Sequence, residues 1–191
     1  MSAAIRAREW AKLQYADPAA DLRRLRRVET EVAHRVSDPR LRALRTSGLK
    51  PDRLQRDAAL FAHGMSSMLG LKVYYAPIES SDFDFVTATQ TPEGSVFTPV
   101  QLKELVPPDL NPNASLDAIF ESLHKYVDSA DLVVAIYLNR RIHLEFSRLV
   151  APKLPVAEVW LFGGASDDQS KWLLYGDVLH QPTLHWFAYP A

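Results

Sequence analysis

The sequence predicts a mixed α/β or α+β domain: a central mixed sheet flanked by helices, with a helical segment ahead of it. Three observations carry this. After residue 51 the apolar periodicities run helix, strand, strand, strand, helix, strand, an order that builds a sheet with helices packed on it. DLVVAIYL at 131–138 is a nearly continuous apolar run, as expected of a strand covered on both sides. The chain has 191 residues at 47% hydrophobic content, enough for one compact domain with a real core. The expected organisation is a basic N-terminal helical segment, residues 1–50, packed on a core of residues 51–191.

Residues 4–16 read as one helix. Asp17-Pro18 then starts a second, with Asp as cap and Pro at the first helical position. Leu22, Leu25, Val28, Val32 and Val36 follow at helical spacing until Asp38-Pro39 breaks the run, and a short turn is expected over 40–46, ending near Gly48. Pro51 opens the next helix, whose stripe is Leu54, Ala58, Phe61, Met65 and Met68, with Gly70 as its stop. LKVYYAPI, DFDFVTAT and TPVQLKEL read as three strands rich in β-formers. Ser115 caps a helix in SLDAIFESLHKYVDSA that buries Leu116, Ile119, Phe120, Leu123 and Tyr126. Beyond the 131–138 strand, RIHLEFSRLV fits strand or helix, VAEVWLFGG is a strand, and the tail KWLLYGDVLHQPTLHWFAYP supplies edge strands.

Composition narrows the chemistry. There is no cysteine, hence no disulfide framework, thiolate metal site or cysteine nucleophile. No apolar run is long enough to span a bilayer and the N-terminus lacks a secretory core, so the expected location is cytoplasmic. Residues 1–56 carry a net charge of +7 and residues 57–191 a net of −8. That asymmetry fits a nucleic-acid-facing segment joined to an acidic body; it also fits solvated helix faces laced with ion pairs, as in Arg27, Glu31 and Arg35 at i, i+4 spacing.

The polar residues of SDFDFVTATQTPEGSVFTPVQLKEL stand out. Alternation puts Asp82 and Asp84 on one face of their strand, and Gln101 and Lys103 on one face of the next. If Thr91-Pro92-Glu93-Gly94 turns between the strands, 84 lies opposite 101 and 82 opposite 103, within about 5 Å at Cβ. Carboxylate, amide and carbonyl oxygens are hard ligands suited to Mg²⁺, and a neighbouring lysine can orient or deprotonate a water or stabilise charge on a phosphate. The same residues also read as an ordinary solvated strand face with an Asp–Lys cross-strand pair.

Asp84, with Gln101-Leu102-Lys103 on the following strand, resembles the signature of the PD-(D/E)XK nuclease superfamily, the restriction-endonuclease-like fold. The resemblance covers residues 51–138, where the expected helix, three-strand meander, helix and further strand match that fold's order. Two departures are plain: no Pro precedes the Asp, and Gln101 stands where the superfamily has Glu or Asp. A Gln variant also occurs in active members, including some methylation-dependent restriction enzymes. The resemblance implies a nuclease that hydrolyses phosphodiester bonds, in DNA, with Mg²⁺ or Mn²⁺. Asp84, Gln101 and the Leu102 carbonyl are its metal ligands, Asp57 and Asp82 further candidates, and Lys103 the residue that positions or activates water. Arg23, Arg24, Arg26 and Arg27 are candidate contacts to the phosphate backbone, and a homodimer is a candidate assembly. The alternative is the same fold without catalysis, a nucleic-acid-binding or protein-interaction module.

Other signals are weaker. The six histidines form no zinc-binding spacing, and no Walker loop, Rossmann fingerprint or nucleophile elbow occurs. Gly163-Gly164-Ala165-Ser166 is most simply a turn. Trp160, Trp172, Trp186 and Phe187 read as sheet-core or dimer-interface residues before base-stacking ones.

Overall fold

The computed structural model describes residues 3–35, 50–78, 80, 82–127, 129–146, 149 and 152–191. Among these are four helices and seven strands: α1 (Ala3–Trp10), α2 (Pro18–Arg35), α3 (Lys50–Leu69), β1 (Val73–Pro77), β2 (Phe85–Thr91), β3 (Gly94–Leu105), α4 (Leu116–Leu123), β4 (Ser129–Leu138), β5 (Val156–Gly164), β6 (Lys171–Gly176) and β7 (Thr183–Ala188). The strands form one sheet in the order β1-β2-β3-β4-β5-β6-β7. It is mixed: β1/β2, β5/β6 and β6/β7 are antiparallel, whereas β3/β4 and β4/β5 are parallel. No helix among the described residues is long and apolar enough to cross a membrane.

The chain divides into two compact units, one of residues 1–78, 85–97 and 189–191, the other of residues 79–84 and 98–188. In the first, the Asp17 side chain caps α2, with Oδ1 accepting from the N–H groups of Ala19 at 2.8 Å and Ala20 at 3.1 Å. That is the local geometry an Asp-Pro start dictates. The first helix is shorter than the 4–16 expected, because it stops at Trp10 and Ala16 pairs instead with Tyr75 of β1. Pro18 reinforces the stop by disfavouring helical geometry at Asp17. On α2, Leu22 and Leu25 are buried, but Val28 of the expected stripe is exposed. The turn expected over 40–46, and the side chains of Val32, Arg35 and Val36, lie outside what is described. On α3 the residues 57–62 are buried as a continuous run, which takes in Ala58 and Phe61 of the expected stripe, whereas Leu54, Met65 and Met68 are only partly buried. Gly70 adopts φ +64°, the left-handed stop that favours glycine. A polar network holds α2, α3 and β1 together: the Tyr75 hydroxyl donates to Asp21 Oδ2 at 2.6 Å, and Gln55 Nε2 donates to the same oxygen at 3.1 Å.

In the second unit, α4 crosses between the parallel strands β3 and β4. Ser115 caps it, its side chain accepting from Ala118 N at 3.1 Å. The register Gln101↔Val134, Lys103↔Ile136, Leu105↔Leu138 fixes which residues share a face. Leu105, Val134, Ile136, Val159 and Leu161 pack with Leu116, Phe120 and Leu123 of α4. The alternate residues Tyr137, Phe162 and Trp172 stack on the other face, the latter two with ring centroids 5.3 and 6.0 Å from that of Tyr137. Both faces of β4 are thus covered, which is why its sequence is continuously apolar. RIHLEFSRLV forms no strand or regular helix among its described residues. The Gly164–Lys171 segment is a hairpin turn, with Ala165 N donating to Lys171 O at 2.8 Å.

Candidate functional site

The site is built where β2 begins and β3 continues past it. The strand starts at Phe85, so both aspartates precede it instead of lying on it as alternation suggested. Asp84 N still donates to Val100 O at 2.9 Å. This bond pairs 84 with 100, one residue away from the 84-opposite-101 counting that the turn predicts. By the period-two alternation of a ladder, the N–H and C=O of Leu102 point to the same edge as those of Val100. Side chains supply their partners there: Leu102 N donates to Asp84 Oδ2 at 2.7 Å, and Leu102 O accepts from Gln101 Nε2 at 3.1 Å.

Gln101 closes the network. Its Nε2 also donates to Asp84 Oδ2, and its Oε1 accepts from the Tyr126 hydroxyl at 3.1 Å. Asp84 Oδ2, Leu102 O and the Gln101 amide therefore share one small region. Despite the one-residue offset, Asp84 reaches Gln101 because it sits off the strand end and its side chain turns over β3.

Lys103 completes the group. Its ammonium lies 5.6 Å from the centre of the Tyr126 ring. Partial burial pushes its pKa down, and the Asp84 carboxylate opposes that shift. The Tyr126 phenol is pushed up by burial; Lys125 opposes the shift, and the charges of Asp84 and Asp82 add to it. Lys125 sits on the same ring at 5.2 Å. The half-buried Asp84, Gln101 and Lys103 thus meet around buried Tyr126, with exposed Asp82 within electrostatic reach of its phenol.

The remaining candidates lie in the first unit. Asp57 is buried on α3. Arg23, Arg24 and Arg27 are exposed on α2; Arg24 pairs with Asp21 at 3.6 Å, and Arg26 stacks on the Tyr189 ring at 4.5 Å and pairs with Glu29 at 4.0 Å. Among the described residues no three His, Cys, Asp or Glu side chains form a group able to hold a metal ion. A metal at Asp84 would draw on one carboxylate and the Leu102 carbonyl, because the Gln101 amide turns its NH₂ toward both and its oxygen toward Tyr126.

Sequence reasoning placed Tyr126 on the buried face of a helix and gave it no role. It lies past the end of α4, where its N–H donates to Leu123 O at 3.1 Å, and its hydroxyl orients Gln101. No local signal marks that contact, which spans 25 residues. A separate cleft of about 630 Å³ opens at the carboxyl ends of β4 and β5, lined by Tyr137, Asn139, Arg141, His143, Gly164 and Trp172 among others. Trp160, Trp172 and Phe187 are buried, whereas Trp186 on β7 is 58% exposed. Compared with protein-family models, curated proteins and solved structures, the chain matches none.

Proposed function

We propose that the chain is a metal-dependent nuclease with a restriction-endonuclease-like core, hydrolysing phosphodiester bonds in DNA. The observation that carries this reading is the convergence of Asp84, the Leu102 carbonyl, Gln101 and Lys103 at the start of β2. The order α3-β1-β2-β3-α4-β4 supports it, being the order the resemblance implies. In this reading Asp84, the Leu102 carbonyl and, with its amide turned from the orientation seen, the Gln101 oxygen would hold Mg²⁺ or Mn²⁺. Such an ion, when bound, supplies Lewis acidity toward the phosphate and a more acidic water. Lys103 orients that water, and burial makes its amine easier to deprotonate than a solvated lysine. Arg23, Arg24, Arg26 and Arg27 give a salt-dependent grip on the backbone.

The test is Mg²⁺-dependent cleavage of plasmid and linear DNA by wild type and Lys103→Ala. The variant is expected to lose at least about 100-fold in rate, the usual contribution of a positioned acid or base. Equal cleavage by both proteins assigns the activity to a contaminant. One observation favours a second reading, a binding module of the same fold without catalysis: the Gln101 NH₂ already satisfies Asp84. DNA binding without Mg²⁺ or Mn²⁺ binding selects that reading.

A further inference from the structure

We infer that the cleft at the carboxyl ends of β4 and β5 binds a nucleoside monophosphate, free or at the end of a strand, and grips its phosphate through Arg141. The inference is separate from the Asp84 group and independent of any metal there.

The cleft measures about 630 Å³. Small-molecule sites span roughly 300–1,000 Å³, so there is room for more than a bare inorganic anion. In open α/β sheets ligands bind just outside the carboxyl ends of parallel strands, and β4 and β5 are such a pair.

The charge of the lining is opposite to that of its surroundings. Residues 57–191 carry a net of −8, yet the described lining has two arginines, Arg140 and Arg141, against one carboxylate, Asp167, a net of +1. Arg140 is committed to the fold: its guanidinium donates to Val106 O at 2.7 Å, Asn111 O at 2.8 Å and Ala114 O at 3.1 Å. Arg141 is held only by Asp167, which stands on the turn after β5, and the two side chains are 88% and 86% exposed. So exposed a pair contributes little, and a phosphate can replace Asp167 on the guanidinium fork. Asp168 is turned to its own hairpin, its Oδ1 accepting from the Ser166 hydroxyl and from the N–H and hydroxyl of Ser170.

The rest of the lining suits the body of such a ligand. Leu144, Phe146 and Leu173 offer half-buried apolar surface for a ring. Asn139 commits its NH₂ to Glu104 Oε1 at 2.6 Å and keeps its carbonyl oxygen as an acceptor. Gly164 is the telling position. Its φ is not in the left-handed region, and a Cβ built on it meets nothing within 4 Å. Gly163, by contrast, is kept small by the Leu138 Cβ, 3.1 Å from the added atom. Neither conformation nor packing requires glycine at 164, and its missing side chain keeps open the cleft that it lines.

The experiment is calorimetric titration of the full chain, in chelator, with the four deoxynucleoside monophosphates, the four deoxynucleosides, inorganic phosphate and a 5′-phosphorylated tetrathymidylate. At least one monophosphate is expected to bind wild type, with its nucleoside and phosphate alone at least about tenfold weaker. Arg141→Gln should weaken binding about tenfold, the worth of a charge-assisted hydrogen bond. Asp167→Asn should strengthen it about threefold by removing the competing carboxylate. Gly164→Leu should abolish it at an unchanged urea midpoint. Tetranucleotide binding that Gly164→Leu abolishes assigns the ligand to a strand end, and binding of monophosphates alone assigns it to the free nucleotide; both support the site. No binding of any monophosphate, full binding by folded Gly164→Leu, or phosphate or nucleoside binding as tightly as the nucleotide overturns the inference. So does a shift in the same direction in Arg141→Gln and Asp167→Asn, the mark of an ion pair that is only structural. None of these outcomes bears on the metal-dependent reading at Asp84.

Discussion

Replacing Asp84 by alanine separates a carboxylate that organises the strand end from one that merely strains it. In metal-free protein, Asp84 Oδ2 accepts from Leu102 N at 2.7 Å and from the Gln101 amide. Both are hydrogen bonds to a charged acceptor, worth about 1.5–3 kcal/mol each when shielded from water. Asp84 is only half-buried, so water replaces part of what is lost. The expected net cost is about 2 kcal/mol for Asp84→Ala. For Asp84→Asn, which keeps one acceptor oxygen, it is about 1 kcal/mol. For a chain of this length 2 kcal/mol lowers Tm by about 4–8 °C. Urea unfolding without divalent metal measures it, with the midpoint falling and the slope unchanged. Asp84→Ala as stable as wild type, or more so, would refute the reasoning. That outcome would mean that the hydrogen bonds from Leu102 N and the Gln101 NH₂ do not offset the cost of holding the Asp84 carboxylate at this position.

Two further predictions concern the second unit. A Cβ on Gly176 would lie 2.7 Å from the Trp160 ring and 2.9 Å from Val159 O. Gly176→Ala should therefore cost about 3 kcal/mol through overpacking and alter the near-UV circular dichroism of Trp160; a urea midpoint equal to wild type would contradict this. His180 Nδ1 lies 2.5 Å from Asp177 Oδ2, whose other oxygen accepts from Val159 N and Leu179 N, each at 3.0 Å. The hydrogen bond to Asp177 raises the His180 pKa above its ordinary 6.5. The folded value exceeds the unfolded one, so this contribution to stability is full below 6.5 and is lost as pH rises through the raised value. His180→Gln should remove that component from urea midpoints measured across the range, and an unchanged pH slope would rule it out.

Where the fold was legible, the reasons were local. Asp17-Pro18 and Ser115 announce their helices because a cap is made of neighbouring residues. The continuous apolar run of 131–138 marks a strand buried on both faces, and the structure buries it by α4 on one side and stacked aromatics on the other. What was not legible depends on distant partners. The first helix stops at Trp10 because Ala16 bonds to Tyr75, far along the chain. Val28 keeps helical spacing yet is exposed, since spacing names a stripe but not how far along it a neighbour reaches. RIHLEFSRLV carries enough apolar residues for either element and forms neither among its described residues.

The candidate site was legible as a set of residue types more than as a geometry. Turn counting put Asp84 opposite Gln101, and the backbone bond joins it to Val100 instead. Contact is kept because Asp84 lies ahead of the strand, where its side chain is not held to the alternation of the pleat. Nothing in the sequence near Gln101 points to Tyr126, since that hydrogen bond depends on where α4 ends and how it packs over β3.

The most direct measurement is Mn²⁺ binding, followed by loss of the free-ion electron paramagnetic resonance signal, in wild type and Asp84→Asn. The predicted result is a binding site in wild type that Asp84→Asn loses or weakens by at least about tenfold, since the carboxylate on which the site is built is gone. Equal binding by the two proteins, or none by wild type, would contradict a metal site built on Asp84.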